Sequence, residues 1–143
     1  MTLPEVRQKV VCYVVRGGRL LVFRHLDEPW QESGLQVPAG TIRPGEAPEA
    51  AALREAREET GLATLRVVRK LGEHDYDMRP YRAETHHRHV FHLEVEEETP
   101  ERWLSAEDDA DDGSGPKRFE CSWLPLAQGH VLAAGQGALL GRL

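Results

Sequence analysis

PEAAALREAREETG, residues 48–61, constrains the fold more than any other stretch of the chain. Pro48 suits the first position of a helix, where its missing N–H costs nothing, and Gly61 suits the residue just past the end. Strong helix formers fill the space between them. At 100° per residue Glu55, Glu58 and Glu59 share one face, being related by i, i+3 and i+4. Ala52, Leu53 and Ala56 form a small apolar stripe beside it that can pack against a sheet. The spacing predicts a helix with one flank packed and its acidic side along the edge of the packed layer.

The acidic side is unfavourable by itself. Like charges one turn apart repel by a few tenths of a kcal/mol when exposed, and by more when partly buried. Acids in the last turn also face the negative end of the helix dipole. A solvated charged face is the ordinary explanation of such a pattern. Here a hard divalent cation, bound through carboxylate oxygens, is the natural counter-charge.

The remaining pattern is mostly β. VVCYVV, residues 10–15, is a continuous apolar run and predicts a strand buried on both faces. Gly17-Gly18 is a two-residue hairpin turn, and RLLVFRHL, 19–26, is the returning strand. LQVPAG predicts a short strand ending at Pro38. LRVVRKLGEH after Gly61, HHRHVFHLEV at 86–95 and FECSWLPL at 119–126 predict three more. Residues 96–118 are rich in Asp and Glu and contain Gly-Ser-Gly, which predicts a long surface loop with a helical turn around Trp103. The C-terminal LAQGHVLAAGQGALLGRL has the Leu and Ala of a helix, weakened by its glycines. Strands before and after one strong helix, with a terminal helix, predict a mixed α/β domain spanning residues 1–143.

Composition narrows the function. The net charge is −6 and no Lys/Arg run stands out, so a nucleic-acid polymer is not the expected partner. No apolar run approaches the roughly 20 residues needed to span a bilayer, and the N-terminus lacks the layout of a signal peptide. Cys12 and Cys121 sit apart among apolar neighbours, as two buried reduced thiols would. The expected location is cytoplasmic.

Gly40, Glu46, Arg54, Glu55, Ala56, Glu58, Glu59, Gly61 and Leu62 match Gly-x5-Glu-x7-Arg-Glu-U-x-Glu-Glu-x-Gly-U, where U is aliphatic. By this motif the chain resembles the Nudix hydrolases, the MutT-like pyrophosphohydrolases. Ala56 departs from the pattern, because that aliphatic slot is usually larger. The resemblance implies an α/β/α sandwich around a mixed sheet. It also implies hydrolysis of a nucleoside diphosphate linked to another group, with Mg²⁺, or in some cases Mn²⁺, as cofactor. It makes Glu55, Glu58 and Glu59 metal ligands, together with the Ala39 carbonyl. Arg54 would pair with the acidic cluster, and Gly40, Glu46 and Gly61 would shape the loop and helix. Divalent ions there would reverse the local charge, clamp the phosphates and acidify a bound water.

The general base stays open among Glu59, the EDDADD segment at 107–112 and Glu120. Tyr76, Arg79, Tyr81, His87, Arg88 and His89 are candidates for substrate contacts, because aromatic rings stack on bases and Arg forks hold phosphates. The histidines of HHRHVFHL cannot make a zinc site from one strand alone, because four converging ligands are needed. Trp30 and Trp103 are expected as loop anchors. A regulatory module that kept the fold and lost catalysis is the alternative, disfavoured because every carboxylate of the motif is present. The apolar tail would allow a homodimer.

Overall fold

Val10, Val11, Cys12, Tyr13 and Val14 are buried without a break, which requires cover on both faces of their strand. The computed structural model, which describes residues 3–29, 34–108 and 115–143, supplies that cover. Its strands are β1 (Glu5–Arg16), β2 (Arg19–His25), β3 (Ala39–Thr41), β4 (Leu65–Asp77), β5 (Glu84–Val95), β6 (Arg102–Glu107) and β7 (Lys117–Pro125). One α-helix, α1 (Pro48–Thr60), is present among the described residues. The sheet runs β4-β5-β1-β2-β7-β6, with β3 also on β1. Among the described strands the β1–β5 pair is parallel and the other pairs are antiparallel.

Successive residues of β1 feed two cores. Val10, Cys12 and Val14 pack with Ala51, Ala52 and Ala56 of α1, and with Phe91 and Leu93 of β5. Val11 and Tyr13 pack on the other face with Val37, Leu71, Val90, Leu132 and Leu139. Small side chains let α1 lie close to the sheet, and the Cys12 thiol reaches the Ala52 carbonyl at 3.4 Å. Ala56 is fully buried there, so close approach fills the space a larger residue would take. Both cysteines are free and buried. Gly61 has φ 74°, and its N–H donates to the Arg57 carbonyl, ending the helix as predicted.

Three expectations need correction. The C-terminal tail is not an α-helix: it holds 3-10 turns at Leu126–Val131 and Leu140–Arg142. Gly129, Gly135 and Gly137 break the helical run, and the tail is fastened instead by specific bonds. The Tyr13 hydroxyl donates to the Gln136 carbonyl (2.5 Å), and the Val37 N–H donates to Gln136 Oε1 (2.8 Å). Leu132 and Leu139 are buried against the sheet, so that much of the apolar tail is already covered within the chain. The second outer layer is therefore this tail. Next, residues 102–107 form a strand rather than loop or helical turn, because β7 supplies a partner from Arg102↔Ser122 to Glu107↔Lys117. Lastly, the short strand follows Pro38 instead of ending at it, and upstream only Gln36 bridges to Phe23. Trp30 and residues 109–112 of the acidic run lie outside the described residues.

β1 and β2 pair only beside their hairpin, at Val15↔Leu20 and Arg16↔Arg19. Farther on, β3 takes the edge of β1 and β2 turns to β7. The two halves of the sheet thus separate, and the candidate site lies in the seam between them.

Candidate active site

Gly40 lets the helix reach that seam. A Cβ at this position would overlap the Glu55 carboxylate, so glycine leaves that carboxylate room to sit against β3. Glu55 and Glu59 are buried, at 3% and 7% exposure, whereas the Glu58 side chain is 32% exposed. Arg54 fastens the loop to the helix. Its Nε and Nη2 donate to the two Glu46 oxygens at 2.8 and 2.9 Å, and Nη2 also donates to the Thr41 carbonyl at 3.0 Å. Nη1 reaches Glu55 Oε1 at 2.9 Å and Glu58 Oε2 at 3.4 Å. The Arg54 fork, with the Arg43 N–H, holds the Glu46 carboxyl down at about 2. Glu46 is thus a permanent partner of Arg54, in keeping with a structural part.

Glu59 differs from its neighbours. The Ala39 N–H donates to its Oε1 at 2.9 Å. Burial, reinforced by the nearby Glu55 charge, nevertheless pushes its carboxyl well above the usual range. Oxygen atoms of Glu55, Glu58 and Glu107 lie within 4.8 Å of one another. Glu107 comes from the end of β6, the start of the EDDADD segment. These are hard oxygen donors at the spacing a divalent ion bridges, and they fit Mg²⁺ or Mn²⁺ rather than a soft metal. Glu120, by contrast, pairs with Arg24 at 3.1 Å and does not border the seam.

A cavity of about 110 Å³ is lined by Glu55, Glu59 and Glu107 together with Lys9, His25 and Lys117. Ala39 and Gly40 line it too. Lys9, His25, Ala39, Gly40 and Lys117 also border a cleft of about 570 Å³. Tyr76, Tyr81, Arg82, His86, Arg88 and Gln136 form its farther walls. Arg88 stacks over the Tyr76 ring at 4.4 Å and donates to the Ala134 carbonyl at 2.6 Å. The tail therefore holds this stack in place.

Of the residues singled out for substrate contact, Tyr76, Tyr81 and Arg88 border the cleft. His87 and His89 do not, because alternation along β5 puts His86 and Arg88 on the cleft side. Arg79 is turned to Asp77, with Nη2 2.6 Å from Oδ2. Sequence reasoning missed Lys9, His25, Lys117 and Gln136. Lys9 shares a face of β1 with Val11 and Tyr13, and that period was a usable signal. The others meet the site only through long-range pairing.

Comparison with known proteins places the chain. The model of the NUDIX domain matches residues 6–139, and the chain belongs to the Nudix family. It is 32% identical over 59 residues to the ADP-ribose pyrophosphatase of Bacillus subtilis (strain 168), covering 41% of this chain and 32% of that protein. It is 37% identical over 82 residues to the RNA pyrophosphohydrolase of Gluconobacter oxydans (strain 621H), covering 54% and 45%. The matched region is thus less than half the length of each of these relatives. The fold resembles the crystal structure of a MutT NUDIX hydrolase from Burkholderia pseudomallei, with a TM-score of 0.71 at 21% identity over 97% of this chain and 98% of that one.

Proposed function

We propose that this chain is a Mg²⁺-dependent hydrolase that cleaves the pyrophosphate linkage of a nucleoside diphosphate joined to another group. The observation that carries the reading is the shared lining of two spaces. A cavity lined by Glu55, Glu59 and Glu107 has Lys9, His25, Ala39, Gly40 and Lys117 in common with a cleft of the size that holds a nucleotide, and Glu55, Glu58 and Glu107 offer oxygens at ion-bridging distance. The two relatives are named for pyrophosphate-cleaving activities, which agrees with this chemistry.

Each residue then has a definite task. Glu55, Glu58 and Glu107 hold divalent ions, with the Ala39 carbonyl nearby as a further ligand. Bound there, the ions would screen the phosphates and lower the pKa of a coordinated water. Glu59, buried beside Glu55 and accepting the Ala39 N–H, is the carboxylate assigned to take the proton of the attacking water. Arg54 keeps the ligands aligned. Lys9 and Lys117, which line the same cavity, attract the phosphate oxygens. Tyr76 and Arg88 offer a flat, pre-set face for a base.

Incubating the protein with a panel of nucleoside diphosphate derivatives in Mg²⁺, with products identified by mass, tests the reading. Expected products are two phosphate-bearing fragments cut between the phosphorus atoms. An intact panel in both Mg²⁺ and Mn²⁺ contradicts it.

A further inference from the structure

On the face of β5 turned away from the cleft, His87 and His89 lie beside Glu73 of β4, in the register Glu73↔His89 and Asp75↔His87. One ligand atom from each of Glu73, His87 and His89 lies within 4.8 Å of the others. The two rings are held so that each turns one nitrogen to the Glu73 carboxylate. His87 Nε2 is 2.6 Å from Glu73 Oε1, while its Nδ1 is anchored on Asp75 Oδ1 at 2.6 Å. His89 Nε2 is anchored on Gln8 Oε1 at 3.0 Å. With that nitrogen donating, His89 Nδ1 keeps its lone pair, 3.7 Å from Glu73 Oε2. An outer oxygen acceptor on each imidazole is the arrangement that orients metal-ligating histidines.

A cation already uses this point. The Lys70 ammonium sits 2.9 Å from His89 Nδ1 and 2.7 Å from Glu73 Oε2. It is drawn by the same lone pair and carboxylate that a metal ion would engage. Its side chain is 37% exposed, so it can swing into solvent and leave the point to another cation.

We infer that Glu73, His87 and His89 form a second metal site, for a divalent ion of the Zn²⁺ class, separate from the carboxylate site. Two imidazoles and one carboxylate suit Zn²⁺, whereas the oxygen-only cluster at the cavity suits Mg²⁺. Three protein ligands leave a fourth position for water. The ion ties β4 to β5, and Lys70 competes with it for the site.

The test uses the full chain, stripped of metal and kept in enough Mg²⁺ to occupy the oxygen ligands. Zn²⁺ is added against a chromophoric chelator, and Tm is followed in parallel. The expected result is one tight Zn²⁺ per chain and a rise in Tm. His87→Ala and His89→Ala each weaken binding about 10-fold or more and remove the rise. Lys70→Met strengthens binding several-fold, and Glu55→Gln leaves it unchanged. No Zn²⁺ uptake in the presence of Mg²⁺ would overturn the inference. So would wild-type affinity in both histidine variants, loss of uptake in Glu55→Gln, or a Lys70→Met variant that binds no better than wild type.

Discussion

Glu59 is buried at a cost to stability, and the cost depends on pH. Its folded pKa lies above the ordinary 4.5, so the native state keeps a proton that the unfolded chain releases. Its contribution is full below about 4.5 and declines as pH rises toward the folded value. Glu46 has the opposite sign: its carboxyl, held down at about 2, contributes above 4.5, and that contribution is lost as pH falls through about 2. Replacing Glu59 by Gln should therefore raise the Tm of the metal-free protein at neutral pH and flatten its decline with rising pH. The same change should lower kcat by about 100-fold or more. Thermal melts across pH, run beside turnover assays, check both parts. A lower Tm in the metal-free variant would contradict the assignment. The placement of Glu55, Glu58 and Glu59 on one helix was legible because it depends only on local spacing, whereas Glu107, which β6 brings to Glu55 and Glu58, was not assigned to the metal cluster. Lys117 was equally hidden, since the long-range pairing of β7 with β2 brings it to the cavity.

At the scale of elements, α1 was legible because its start, stop and composition are local. β6 was hidden by the acidic residues around it, although RWLSAE alternates in exposure as a strand does. The tail misled because Leu and Ala count toward a helix whatever they touch. Its conformation is set by Tyr13 and Val37, which are far away in sequence. β6 also closes the end of α1: the Trp103 indole N–H donates to the Thr60 carbonyl at 2.8 Å. Trp103→Phe keeps the apolar ring and removes this bond at the helix end. It should cost about 1 kcal/mol in urea unfolding. An unchanged midpoint would show that solvent satisfies the carbonyl equally well.

Over the whole molecule, the candidate site follows from the parting of the sheet. β1 supplies Lys9, β2 supplies His25 and β7 supplies Lys117 to the cavity that Glu55, Glu59 and Glu107 line, where β3 rather than β2 pairs with β1. The cleft continues over β4 and β5 to the tail, where Arg88 braces Tyr76. On the proposed reading, a base would stack there, away from the bond that breaks. Tyr76→Ala should therefore raise KM by about 10-fold, with a smaller change in kcat. A variant that loses kcat at unchanged KM would place Tyr76 in the chemistry instead. Among the described residues no helix is long and apolar enough to cross a membrane.

The most direct test of the carboxylate site counts bound Mn²⁺ from the loss of the free-ion EPR signal, in wild type and in the Glu55→Gln/Glu58→Gln double variant, with turnover measured on the same samples. Wild type should bind Mn²⁺ and hydrolyse substrate. The double variant should keep its secondary structure while losing at least one bound ion and nearly all activity. Equal Mn²⁺ uptake and equal turnover in the two proteins would contradict the account.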